Sequence, residues 1–163
     1  MLLFHHPSRK VKRGPLRACW LDLAGQLAPG ATCLITTDAE LRSLNRRFRG
    51  KDTPTDVLSF PRPAMRAIGN RAAEAGYKPA AGYDPAPPGV AASGEIAISF
   101  DRAAEQAAEQ GHGVDQELRI LMLHGLLHLN GMDHETDQGD MARAEARWRR
   151  RLGLPIGLIE RST

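Results

Sequence analysis

Large apolar residues recur along the chain at two spacings, and these predict strands interleaved with helices. Leu2 to His6 reads as a short first strand, ended by Pro7. From Lys12 to Leu27 the spacing is helical. It places Leu16, Trp20, Leu23 and Leu27 on one face before Pro29-Gly30 stops the run. Thr32 to Thr37 is a compact β-branched run, the pattern of a strand. Asp38 reads as the N-cap of a helix carrying Leu41, Leu44 and Phe48 and ending at Gly50. A polar turn, Lys51-Asp52-Thr53-Pro54, leads to a strand over Val57 to Phe60 that Pro61 stops. Glu95 to Phe100 alternates Ile96, Ile98 and Phe100 with smaller residues, again as a strand. Asp101 stands where a cap is expected for an Ala-rich helix to about Gly111. Asp115 opens another, through Leu118, Leu121, Met122, Leu126 and Leu129 to Asn130-Gly131. The last helix, from Gly139 or Asp140 to Leu152, sets Met141, Ala144, Trp148 and Leu152 on one stripe. This mixture predicts an α+β or α/β class with three or four strands and about five helices.

Residues 62–93 break the pattern. Ala, Gly and Pro dominate there, so the stretch reads as a surface insertion with a short helix near Ala64 to Ala75. With 163 residues and no internal repeat, the expectation is a single domain over 1–163 that carries this insertion. Lys and Arg number 22 against 19 acids, a formal charge of +3. So mild an excess suits a polyanion such as RNA, and a solvated basic surface explains it as well. Cys19 and Cys33 lack metal or redox spacing and read as free thiols. No apolar run approaches the ~20 residues of a membrane helix. Met1-Leu2-Leu3-Phe4-His5-His6-Pro7 lacks the basic start of a secretory signal. A cytoplasmic protein with no membrane partner is therefore expected.

The candidate chemistry lies in Leu123-His124-Gly125-Leu126-Leu127-His128-Leu129-Asn130-Gly131-Met132-Asp133-His134. His124 and His128 are four apart in an apolar helix, so both imidazoles share one face and can meet one ion. Gly131 supplies a left-handed residue that turns the chain back, which brings His134 within reach as a third ligand. Three neutral imidazoles with a fourth position open describe a catalytic zinc site rather than a closed structural one. His5, His6 and His112 lack such a context and read as surface or packing residues. The spacing H-x-x-x-H-x-x-G-x-x-H is that of the metzincin peptidases, in which a glutamate follows the first histidine as general base. Here Gly125 stands in that position, so the zinc geometry is kept without the peptidase's base.

The same stretch resembles the H-G-x-L-H-L-x-G-x-D-H signature of the YbeY family of bacterial endoribonucleases, which act as rRNA maturation factors. Two further blocks are similar to that family's. One is Leu44-Asn45-Arg46-Arg47-Phe48-Arg49-Gly50-Lys51-Asp52 with Pro54-Thr55-Asp56-Val57-Leu58-Ser59-Phe60-Pro61, and the other is Gly94-Glu95-Ile96-Ala97-Ile98-Ser99. The blocks run in order from about Thr32 to Leu152. The resemblance implies an α+β fold with a small mixed sheet and one zinc ion per chain on His124, His128 and His134. It also implies single-strand-specific endoribonuclease activity in 16S rRNA 3′-end maturation and 70S ribosome quality control. Single-stranded rRNA, the small ribosomal subunit, ribosomal protein uS11 and the Era GTPase are the partners it implies. The family's functional arginine falls on Arg49, so Arg49 and His124 are the expected catalytic residues.

In that chemistry zinc activates a water or polarises a phosphoryl oxygen, while Arg49 grips the phosphate bidentately and Lys51 adds a looser charge. Asp56 is a candidate to orient a ligand histidine. The arginines at 143, 147, 149, 150 and 151 are either an rRNA-facing surface or a solvated helix face. Two rivals remain open: a zinc-dependent peptidase or other hydrolase, and a non-catalytic ribosome-associated assembly factor.

Overall fold

The alternation of apolar residues along the strands decides which face of the sheet each side chain serves. Strands β1 (Leu2–Phe4), β2 (Thr32–Thr36), β3 (Val57–Pro61) and β4 (Gly94–Ser99) form one mixed sheet in the order β1-β2-β4-β3. The first three in that order run parallel, and β3 lies antiparallel on β4 with Leu58 opposite Ala97. The computed structural model describes residues 1–61 and 94–161, so the expected insertion and its short helix lie outside the described residues. The helices are α1 (Arg13–Leu27), α2 (Asp38–Arg49), α3 (Phe100–Gln110), α4 (Val114–Leu129), α5 (Asp140–Leu152) and α6 (Leu158–Arg161). The α+β class with a small mixed sheet is as expected, and the described residues add one short helix, α6, to the five anticipated. Among the described residues, no helix is long and apolar enough to cross a membrane.

Because strand side chains alternate, Cys33, Ile35, Ile96 and Ile98 enter the larger core beneath Leu16, Trp20 and Leu23 of α1 and the leucines of α4. Ala97 and Leu58 point the other way and meet Leu41 of α2. The α4 helix is mostly apolar after its first turn and is buried almost throughout from Glu117 to Leu127. It sits hard against the sheet at Gly125. A Cβ there would lie 2.9 Å from Ile96 Cδ1 and 3.2 Å from Ser59 Oγ. Ser59 Oγ also donates to the Gly125 carbonyl at 3.3 Å.

Three helix starts differ from expectation by a residue or two. The cap of α2 is Thr37, whose extended backbone leaves its hydroxyl to accept from the Glu40 N–H, and Asp38 falls in the first turn. Ser99 caps α3 by accepting from the Arg102 N–H, and Gly113 precedes α4. The displaced carboxylates serve tertiary contacts instead. Asp38 accepts from Ser99 Oγ and Arg102 Nε, while Asp101 accepts from the Asp38 N–H and pairs with His6 Nε2. His6 itself stacks on Phe100 with centroids 4.4 Å apart, a packing role as expected.

The short α6 helix carries no periodic pattern, and side-chain bonding holds it. Arg161 grips the fully buried Glu117 through two bonds of 2.8 and 2.9 Å, and His112 Nε2 lies 3.1 Å from the same carboxylate. Removing one partner of a buried pair strands the other charge. Arg161→Ala is accordingly expected to destabilise the fold by about 3 kcal/mol in urea unfolding. A change under about 1 kcal/mol would show that water reaches Glu117 freely.

Candidate metal centre

His124 and His128 occupy successive turns at the carboxyl end of α4. The helix stops where Gly131 takes φ 84°, a left-handed conformation that favours glycine. The Gly131 and Met132 amides close the last turn on the carbonyls of His128 and Leu127. Asp133 then pins the returning chain, accepting from the Glu135 N–H at 3.1 Å and the Thr136 hydroxyl at 3.0 Å. As a result His134 faces the two helical histidines. Each ring offers a ligand nitrogen, and these nitrogens lie within 4.8 Å of one another.

The donor geometry fits a metal ion. His124 Nε2 and His128 Nε2 are 3.2 Å apart. Two imidazole nitrogens on one tetrahedral zinc, each about 2.05 Å from it, would sit about 3.3 Å apart. His134 stands slightly further off, its centroid 5.3 and 5.4 Å from rings that are 4.8 Å from each other. Burial lowers the pKa of His128, and the neighbouring His124 and His134 rings add to the effect. The ring is thus kept neutral, the form that binds metal. Asp133 is held below the usual carboxylate range by the Glu135 amide and the Thr136 hydroxyl, so it stays ionised beside the rings.

Sequence reasoning missed Glu145 on α5. This residue is buried, and its Oε2 lies 2.8 Å from His124 Nδ1. With the Glu145 carboxylate as acceptor, His124 donates from Nδ1, which leaves its Nε2 lone pair for a cation. A signal was present in the chain. Glu145 lies on the apolar stripe of Met141, Ala144 and Trp148, where an acid is out of place unless something satisfies it. Asp56, the sequence candidate for orienting a histidine, has other bonds. It accepts from the Val57 N–H, the Thr55 hydroxyl and Gln106 Nε2, and so braces β3 against α3.

The three histidines open into a cavity of about 860 Å³ lined also by Phe48, Arg49, Asp56, Ser59 and Phe60. Arg49 reaches it from the last residue of α2, where Gly50 at φ 68° ends the helix. Buried Asn45 holds the following loop by donating to the Thr53 carbonyl at 2.8 Å. Lys51 is exposed and is not among the lining residues. Three of the α5 arginines have partners within the chain. Arg143 pairs with Asp140, Arg149 with Glu160, and Arg151 with Gln26 while lying over Trp148.

Metal analysis of purified protein tests the centre directly. Wild type is expected to hold about one metal ion per chain and His128→Ala to retain little, since one of three ligands is gone. Equal metal in the two would sink the site. Gly125→Ala is expected to lose about 1–3 kcal/mol in thermal unfolding, because Ile96 or Ser59 must give way. An unchanged melting temperature would mean the helix–sheet contact is loose.

Comparison with known proteins shows the family of the chain. The family model described as endoribonuclease YbeY matches residues 24–153. The endoribonuclease YbeY of Solibacter usitatus is 50% identical over 160 residues, covering 97% of this chain and 91% of that protein. That of Koribacter versatilis is 49% identical over 130 residues, covering 80% of this chain and 69% of its own. The solution structure of TM1509 from Thermotoga maritima shares the fold at TM-score 0.53 and 23% identity, covering 91% of this chain and 86% of that one. With the family model matching residues 24–153 and half of 160 aligned residues shared with a relative covered over 91% of its length, the chain belongs to the YbeY endoribonuclease family.

Proposed function

We propose that the protein is a zinc-dependent, single-strand-specific endoribonuclease that acts in the cytoplasm on the 3′ region of 16S rRNA and in 70S ribosome quality control. The observation that carries this reading is that Arg49 and the three histidines line one cavity. Zinc is favoured by the donors themselves, because three imidazole nitrogens suit it whereas magnesium and calcium take oxygen ligands. An ion held there would supply Lewis acidity to a phosphoryl oxygen or to the attacking water.

The chain's own residues supply the rest. Arg49 presents a planar fork that matches two phosphate oxygens and opposes the charge that grows on them during cleavage. Phe48 and Phe60 meet edge-to-face at 5.1 Å and form an apolar wall beside it, a surface suited to unstacked bases. Association with the small ribosomal subunit, through uS11 and the Era GTPase, belongs to the same reading. The peptidase alternative loses ground at Gly125. The packing of Ile96 and Ser59 against that position leaves no room for the base such an enzyme needs.

The test is cleavage of a single-stranded rRNA precursor and its duplexed control by zinc-loaded protein. Wild type is expected to cut the single strand alone, and Arg49→Ala to cut it about 10²–10³-fold more slowly. Precursor left intact by wild type and variant alike overturns the nuclease reading. If both still bind the small subunit, the assembly-factor alternative takes its place.

A further inference from the structure

Glu145 is 2% exposed, and its two carboxylate oxygens have separate partners. Oε2 takes His124 Nδ1 at 2.8 Å, and Oε1 accepts the Ile159 backbone N–H at 3.2 Å. Gly157 lies against the same carboxylate, so close that a Cβ there would fall 1.9 Å from Oε1. The two residues after Gly157, Leu158 and Ile159, line the cavity that holds the histidines. One buried acid therefore joins a ligand ring to the chain segment that walls the site. Among the described residues, no lysine or arginine forms an ion pair with Glu145, and His124 is its one ionisable partner.

We propose that Glu145 is a positioning residue of the metal centre, fixing the tautomer and ring plane of His124 while it locks the Gly157–Ile159 segment against the site. This rests on the reading of the three histidines as metal ligands. Outer partners of this kind raise the basicity of the ligand nitrogen and remove ring freedom before the metal arrives. The Gly157–Ile159 segment thereby belongs to the centre although it contributes no ligand. With a methyl group at position 157, the carboxylate would have to leave its place on both partners.

The experiment uses the full-length protein, stripped of metal and titrated with zinc against a chromophoric chelator. Glu145→Gln is expected to bind zinc 10- to 100-fold more weakly than wild type. The amide has a single acceptor oxygen and cannot satisfy both the ring and the Ile159 N–H. Gly157→Ala, which keeps the carboxylate and displaces it, is expected to lose affinity in the same direction. Long-range 1H–15N NMR of the metal-free protein gives a second readout. His124 should carry its proton on Nδ1 in wild type and lose that preference in Glu145→Gln, a change that a merely structural role would not produce. Wild-type zinc affinity and an unchanged tautomer in folded Glu145→Gln overturn the proposal. Should that variant not fold, the same result in Gly157→Ala overturns it. Wild-type protein that takes up no zinc overturns the metal reading and this proposal with it. Normal zinc in wild type with no loss in the variants overturns the proposal alone.

Discussion

The contact on which the site depends is the near-touch of helix α4 and the sheet at Gly125. An ordinary helix stands off a sheet by the length of its side chains, whereas here the Gly125 backbone rests on Ile96 and Ser59. That depth carries His124, the neighbouring residue, into a buried position beside Glu145. It also sets β3 at the edge of the cavity, where Ser59 and Phe60 share the wall with Arg49. Because interiors are close-packed, a shift of α4 cannot be absorbed locally. It would move the ligand nitrogens relative to the arginine that faces them. The glycine that removes a peptidase's base is thus also the residue that seats the ligand helix.

Most of the architecture was legible because burial imposes periodicity. The alternating isoleucines of β4 and the apolar run of α4 both led to correct elements. The three histidines were legible too, since a four-residue step and a turning glycine constrain geometry locally. Helix starts were not. Thr37 and Asp38 are both good caps, as are Ser99 and Asp101. Which of each pair serves depends on tertiary partners such as Arg102 and His6, far away in sequence. Glu145 was hidden for a similar reason. An acid on an apolar stripe announces a buried partner without naming it, and the partner lies 21 residues back. The α6 turn, held by Arg161 on Glu117 across 44 residues, had no local pattern to read.

Net charge proved less informative than the placement of individual cations. Several α5 arginines already lie against Asp140, Glu160 or Gln26. The last turn of α2 is different. Arg46, Arg47 and Arg49 cluster at a helix carboxyl end, where the dipole favours positive charge, and Arg49 among them borders the histidines. The left-handed Gly50 and the Asn45 tether then lead the chain directly into β3. One short stretch thus provides both a cation and the wall beside it.

The three histidines are unequally held by the fold. His124 is anchored in a buried helix and braced by a carboxylate, so freeing it requires core packing to open. His134 is exposed and rides on a surface turn that only Gly131 and a few Asp133 bonds shape. Local opening of such a turn needs far less free energy than unfolding a central helix. The three rings therefore differ in freedom, with His134 on the segment that opens most easily and His124 on the one that opens last.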